Sequence, residues 1–148
     1  MKIYLDTEFN GFGGELISIG MVGINMHGTT KEFYQVTHCN NPTPWVYENV
    51  IPNLGKLPID RECMQALMQM WLAQFGDCVV VADWPEDIKH FCDLMIVGPR
   101  QCMSTPRITF ELRRDAMPVS SLSHNALADA RALRDWDVAR MGEEVIYV

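Results

Sequence analysis

Alternating apolar and polar positions in the first third of the chain predict β structure. A short strand is expected from Lys2 to Asp6, a longer one from Glu15 to Asn25, and a third from Lys31 to Thr37. The segment Asn25-Met26-His27-Gly28 contains residues that favour a tight turn. The second and third strands are therefore predicted to form an antiparallel hairpin.

The pattern then changes to a helical period. Apolar residues recur at steps of three and four between Met64 and Phe75, which predicts an amphipathic helix. Asp60 is placed to cap its N-terminus and Gly76 to end it. Cys78 to Ala82 is entirely apolar, as expected of a strand that is buried on both faces.

The remaining elements alternate between helix and loop. A second helix is expected from Pro85 to Met95, and Val97 to Pro106 has the composition of a loop. Arg107 to Leu112 can form either a strand or a short helix. The last helix is expected to begin at Ser123 or His124.

That last helix should extend to about Arg140, and its alanines would allow a close approach to the sheet. The order of elements predicts an α/β fold in which an antiparallel hairpin leads into parallel strands. With 148 residues and 48% hydrophobic content, residues 1–148 are expected to form a single domain.

Charge and composition exclude several classes of protein. Nineteen acidic and twelve basic residues give a net charge of −7, which argues against bulk electrostatic binding of nucleic acid or anionic membranes. No apolar run is long enough to predict a membrane span. The carboxylate of Asp6 lies where a signal peptide would have its apolar segment. Five widely spaced cysteines predict buried thiols in a reducing cytoplasm rather than disulfides.

Candidate chemistry begins with Asp6 and Glu8. Side chains two apart on a strand point to the same face, so both carboxylates are expected at one edge of the sheet. Like charges at that spacing repel, and a divalent cation is the usual compensation. Acids that are merely solvated at the end of a strand would have the same spacing.

Two further segments offer polar groups at element ends. Asp83 and Asp87 follow the apolar strand, where Asp87 could bind a metal or simply complement a helix dipole. His124 and Asp129 lie at the start of the last helix, where each could equally be a surface residue. The three segments together favour a site more strongly than any one of them.

The combined motifs resemble those of the DEDDh 3′–5′ exonucleases, in the ribonuclease H-like superfamily. The resemblance covers nearly the whole chain and is closest to the compact mycobacterial-type 3′–5′ exoribonucleases. It rests on Asp6-Thr7-Glu8-Phe9, Leu16-Ile17-Ser18-Ile19-Gly20, Trp45-Val46, Val50-Ile51-Pro52, Glu111-Leu112-Arg113 and His124-x-Ala126-x-x-Asp129-Ala130. The middle motif differs from the family's common form and reads Asp83-Trp84-Pro85-Glu86-Asp87.

The resemblance implies a mixed sheet of about five strands with helices on both faces. It also implies two Mg²⁺ or Mn²⁺ ions bound by Asp6, Glu8, Asp87 and Asp129, with Asp83 as the alternative to Asp87, and His124 as general base. Thr7, Phe9 and Phe12 are candidate substrate contacts, although Phe9 could equally pack in the core. Trp45 and Trp84 are expected to be core residues or loop anchors.

The implied activity is hydrolysis of single-stranded or short RNA from its 3′ end, releasing nucleoside 5′-monophosphates. The alternatives are the same chemistry on DNA, as in proofreading exonucleases, and a catalytically silent nucleic-acid-binding or scaffold protein. The family resemblance also suggests a homodimer.

Overall fold

A mixed five-stranded sheet forms the centre of the fold. The computed structural model describes residues 1–146, and the strands of this sheet lie side by side in the order β3-β2-β1-β4-β7. The strands are β1 Lys2–Phe9, β2 Leu16–Ile24, β3 Thr30–Val36, β4 Cys78–Ala82, β5 Ile96–Gly98, β6 Gln101–Cys102 and β7 Ile108–Leu112. The helices are α1 Pro44–Asn49, α2 Arg61–Leu72, α3 Pro85–Met95 and α4 Ala126–Ile146.

The sheet confirms the predicted combination of antiparallel and parallel strands. β2 pairs antiparallel with both β1 and β3, while β4 pairs parallel with both β1 and β7. β1 is longer than predicted, because its pairing with β2 continues beyond Asp6 until Phe9 lies opposite Leu16. Asp6 therefore lies within the paired strand rather than at its end, and Glu8 lies within it rather than just after it.

Helices cover both faces of the sheet, as expected. Buried residues of α2 and α3 pack with Ile3 and Leu5 on one face. On the other face, Ala130 and Leu133 of α4 pack against Tyr4. This alternation along β1 places Asp6 and Glu8 on the α4 side.

α2 begins after Asp60 as predicted, although the Asp60 side chain makes no capping hydrogen bond. The helix ends at Leu72, four residues before Gly76. The apolar period continues beyond the helix because Phe75 is buried in the turn that follows and contacts Trp71. α3 has the predicted bounds, and the segment that could have been strand or helix forms β7.

Two other boundaries differ from the prediction. α4 begins at Ala126 rather than at Ser123 or His124, because the Asn125 side chain accepts a hydrogen bond from the Ala128 N–H and caps the helix there. The predicted loop Val97–Pro106 contains most of the small β5–β6 pair.

The segment between β3 and α2 contains an unpredicted helix. α1 is followed by a 3-10 helix, Ile51–Asn53. Val46 and Val50 are both buried and pack against Ile17 of β2. Their burial fixes this short segment to the sheet.

All five cysteines are free thiols. Cys78 is buried, but Cys63 and Cys102 are exposed, contrary to the prediction of buried thiols. Within residues 1–146, no helix is both long enough and apolar enough to cross a membrane.

Candidate metal centre

Three predicted site residues meet where β1 passes the start of α4. Asp6, Glu8 and Asp129 each offer one carboxylate oxygen, and these three atoms lie within 4.8 Å of one another. Asp6 and Glu8 come from the same face of β1, and Asp129 comes from the first turn of α4. An all-oxygen donor group of this kind suits a hard divalent cation.

A second carboxylate group shares Asp6. Oxygens of Asp6, Asp83 and Asp87 also lie within 4.8 Å of one another. β1 and β4 are parallel, with Tyr4 opposite Val81, so the chain just beyond β4 reaches the same edge of the sheet as Asp6. Asp83 and Asp87 therefore both lie beside Asp6, whereas the motif resemblance implies only one of them as a ligand.

Close packing of α4 on the sheet brings Asp129 to the site. Asp6 pairs with Gly20 of β2. A Cβ atom on Gly20 would lie 2.4 Å from main-chain atoms of Ala126 and Leu127. Only a glycine at this position lets the start of α4 come so near to the sheet.

Thr7 fixes the orientation of Asp87. One oxygen of Asp87, Oδ1, accepts a hydrogen bond from the Thr7 hydroxyl at 2.6 Å and another from the Thr7 backbone N–H at 3.1 Å. Both residues are buried, at 5% exposure for Thr7 and 2% for Asp87. Thr7, a predicted substrate contact, lines the site, and its hydroxyl is engaged by Asp87.

Three buried carboxylate oxygens in these groups lack a conventional partner. Asp6 Oδ2, Asp87 Oδ2 and Asp129 Oδ1 find no hydrogen-bond donor among the described residues. Leaving such an oxygen buried and unpaired is costly. A cation at each group would coordinate oxygens of this kind, so the residues present fit divalent metal ions.

The electrostatics of the site also favour a cation. Burial, followed by repulsion from neighbouring carboxylates, raises the pKa of Asp6 well above its usual range. Burial and the nearby Asp129 and Asp87 raise the pKa of Glu8 to about 8. Burial raises the pKa of Asp87 to about 7 despite the Thr7 hydrogen bonds. Ionising these buried carboxylates is therefore unfavourable without a compensating positive charge.

His124 lies beside the first carboxylate group. Its backbone N–H donates to Asp129 Oδ2 at 3.2 Å, and its backbone has a left-handed φ of 65°. The imidazole contacts the indole of Trp45 edge-on, with 5.0 Å between ring centroids. His124 and Asp6 line two adjoining cavities, of about 240 and 320 Å³.

Aromatic side chains surround the larger cavity. Phe12 is 99% exposed, Trp45 is 54% exposed and Trp84 is 44% exposed. The two tryptophans are therefore not core residues. Phe9 is half-buried and packs its ring on His90, with 5.1 Å between centroids, while also lining this cavity.

Sequence reasoning missed the roles of Gly20, Thr7 and Trp45. Gly20 is part of one of the family-like motifs. The alanines of α4 indicate a close approach to the sheet, but not which residue of the sheet they meet. The hydrogen bond from Thr7 to Asp87 spans 80 residues, so no local pattern could have indicated it.

No protein-family model matches this chain, and a search of curated proteins also finds no match.

Proposed function

We propose that this protein is a metal-dependent 3′–5′ exoribonuclease. The observation that carries the proposal is the convergence of two carboxylate groups on Asp6, with a buried, unpartnered oxygen on each of Asp6, Asp87 and Asp129 within residues 1–146. The RNA substrate and the 3′–5′ direction come from the motif resemblance. The mixed sheet, with its antiparallel edge and helices on both faces, supports a ribonuclease H-like architecture.

The proposed cofactors are two Mg²⁺ or Mn²⁺ ions. Asp6, Glu8 and Asp129 would hold one ion, and Asp6, Asp83 and Asp87 would hold the other. When bound, such ions supply Lewis-acid stabilisation of negative charge on the phosphate and on the attacking and leaving oxygens.

The proposed reaction is hydrolysis of the last phosphodiester bond. His124 accepts a proton from a water molecule as its oxygen forms a bond to phosphorus. The bond between phosphorus and the 3′ oxygen of the preceding nucleotide breaks, and that oxygen takes up a proton. The products are a nucleoside 5′-monophosphate and an RNA shortened by one nucleotide.

The shape of the cavity and the net charge of the protein favour the 3′ end of a short, single-stranded RNA as substrate. The larger cavity, of about 320 Å³, lies at the lower end of the size range of small-ligand sites. Exposed aromatic rings at its rim, such as Phe12, provide surfaces on which unpaired bases stack. A net charge of −7 disfavours a long electrostatic groove, so affinity should depend on metal at the site.

Degradation of a 5′-labelled RNA oligonucleotide tests the proposal. We expect a ladder that shortens from the 3′ end with Mg²⁺ or Mn²⁺, and none with EDTA. His124→Ala and Asp129→Ala should lose most of the turnover while remaining folded by circular dichroism. Glu48→Gln, which changes an exposed carboxylate on α1, serves as the matched control.

Degradation of a matched DNA oligonucleotide distinguishes the proposed exoribonuclease from a DNA exonuclease. Faster degradation of DNA than of RNA would replace the proposal with a deoxyribonuclease. Cation-dependent thermal stabilisation without hydrolysis of either strand would indicate a silent binding protein. Wild-type rates in both the His124 and the Asp129 variants would contradict the assignment of the site.

A further inference from the structure

Asn53, the last residue of the 3-10 helix, contacts both neighbours of His124. Its side-chain amide donates to the main-chain carbonyl of Ser123 at 3.2 Å. Its own main-chain carbonyl accepts from the side-chain amide of Asn125 at 2.9 Å. The turn that carries the proposed general base is thus held on each side by one residue.

The support for Asn53 is itself firmly attached. Residues 44–54, which we term the platform, comprise α1 and the 3-10 helix, and pack on β2 through Val46 and Val50. Thr43 caps α1 by accepting from the Val46 N–H, and its own N–H donates to Asn10, which follows directly after β1. The platform therefore connects the His124 turn to the end of the strand that carries Asp6 and Glu8.

The His124 turn needs such support because its backbone is strained. A φ of 65° lies in the left-handed region, which is uncommon for any residue other than glycine and persists where surrounding contacts impose it. Trp45, also in the platform, contacts the imidazole ring itself. The platform thus contacts His124 at its ring and at both adjoining residues.

We propose that Asn53 is a positioning residue that holds His124 at the carboxylate groups, an inference that rests on the proposed function. Asn53 acts through His124, and its side-chain amide also donates to the Asn49 carbonyl at 3.0 Å within the platform. Its side-chain amide fixes the Ser123 carbonyl, and its carbonyl fixes the residue that caps α4. The imidazole is consequently held in place before substrate arrives, rather than being ordered by it.

Replacing the amide with an apolar group of similar size tests this role. Asn53→Leu should lower kcat for RNA hydrolysis about 10- to 100-fold, since small misplacement of a catalytic group has effects of that order. KM and the Mn²⁺ titration should change little, because the carboxylates are untouched. Asn53→Gln, which keeps the amide, should recover part of the loss.

Gln74→Ala is the matched control, because the Gln74 amide donates to the Trp71 carbonyl in the turn after α2, outside the platform. It should retain wild-type kcat. In a His124→Ala background, Asn53→Leu should cause no further loss of kcat. An equal loss with and without His124 would overturn the proposal, because Asn53 would then act on general stability.

A readout that needs no activity keeps this test separate from the proposed function. The His124 imidazole resonances can be assigned by their loss in His124→Ala. They should shift or broaden in Asn53→Leu but not in Gln74→Ala. Unchanged His124 resonances in Asn53→Leu would overturn the positioning role, whether or not the protein hydrolyses RNA.

Discussion

Thr7 and Asp87 are 80 residues apart in the chain, yet Thr7 donates two hydrogen bonds to a single oxygen of Asp87. The other Asp87 oxygen is left without a donor among residues 1–146 and belongs to a carboxylate buried beside Asp6. This division of roles resembles that of metal sites in which a neighbouring donor orients a ligating carboxylate.

Removing the Thr7 hydroxyl should therefore weaken cation binding. Thr7→Val keeps the shape of this buried side chain and the backbone N–H, but the pKa of Asp87 should rise further without the hydroxyl donor. We expect a loss of about 10- to 100-fold in Mn²⁺ affinity, measured by calorimetry. Thr30→Val, at the exposed start of β3, is the control. Equal affinities in both variants would contradict the orienting role.

Adding one methyl group at Gly20 should disrupt the site, because it prevents the close packing of α4 on β2. The new Cβ would overlap main-chain atoms of Ala126 and Leu127, so α4 must move away from β2. Gly20→Ala should lower the melting temperature and reduce nuclease activity by more than tenfold, since Asp129 moves with the helix. Gly142→Ala, with open space around its Cβ in α4, should leave both unchanged or slightly raise stability. A wild-type melting temperature for Gly20→Ala would be inconsistent with this packing.

Stability without cation should depend on pH in a defined direction. Folding raises the pKa of Glu8 to about 8 and of Asp87 to about 7, so the folded state binds these protons more tightly than the unfolded state. Their contribution to the free energy of unfolding is full below the ordinary carboxylate pKa near 4 and is lost as pH rises to about 8.

Mg²⁺ or Mn²⁺ should restore that stability, and by more at pH 8 than at pH 5, because bound protons compete with the cation. At 100 times the Kd, the gain is about 2.7 kcal/mol, or about 5–10 °C in melting temperature for a chain of this size. Thermal melts at both pH values measure it. Asp6→Asn, which alters the carboxylate shared by both groups, should reduce both effects. A larger cation effect at pH 5 would show that these carboxylates are not the binding groups.

Asp83 and Asp87 should differ in how much metal binding depends on them. Asp87 is almost fully buried and held by Thr7, whereas Asp83 is half-buried and exposes more of its carboxylate to water. Asp87→Asn should therefore reduce cation affinity and turnover more than Asp83→Asn does, with both below Glu48→Gln. Metal titrations and initial rates on the same RNA rank the variants. The reverse order would make Asp83 the main ligand of the second group.

The elements that sequence predicted best are those with a strong local pattern. α3 is amphipathic and starts at a proline, and β4 is uninterruptedly apolar, so their bounds agree with the prediction. The two-residue spacing of Asp6 and Glu8 correctly placed both carboxylates on one face, because alternation along a strand is a local property.

The platform could not be predicted in the same way. α1 has only six residues, which is too short to be stable without tertiary contacts, and its stability comes from burying Val46 and Val50 against Ile17. The bonds from Asn53 to residues on either side of His124 span about 70 residues. Contacts at that separation depend on the folded topology and leave no periodic trace in the sequence.

The central position of β1 also means that β1 and the segment carrying His124 should open to solvent at different rates. β1 is hydrogen-bonded to strands on both sides, so its amide protons should exchange with solvent only when the whole domain unfolds. Residues 113–125, which carry His124, form an irregular connection between β7 and α4 and can open locally. Hydrogen exchange should therefore be slow around Asp6 and faster around His124. Local opening of this connection, limited by the bonds from Asn53, would separate the base from the carboxylates without unfolding the sheet.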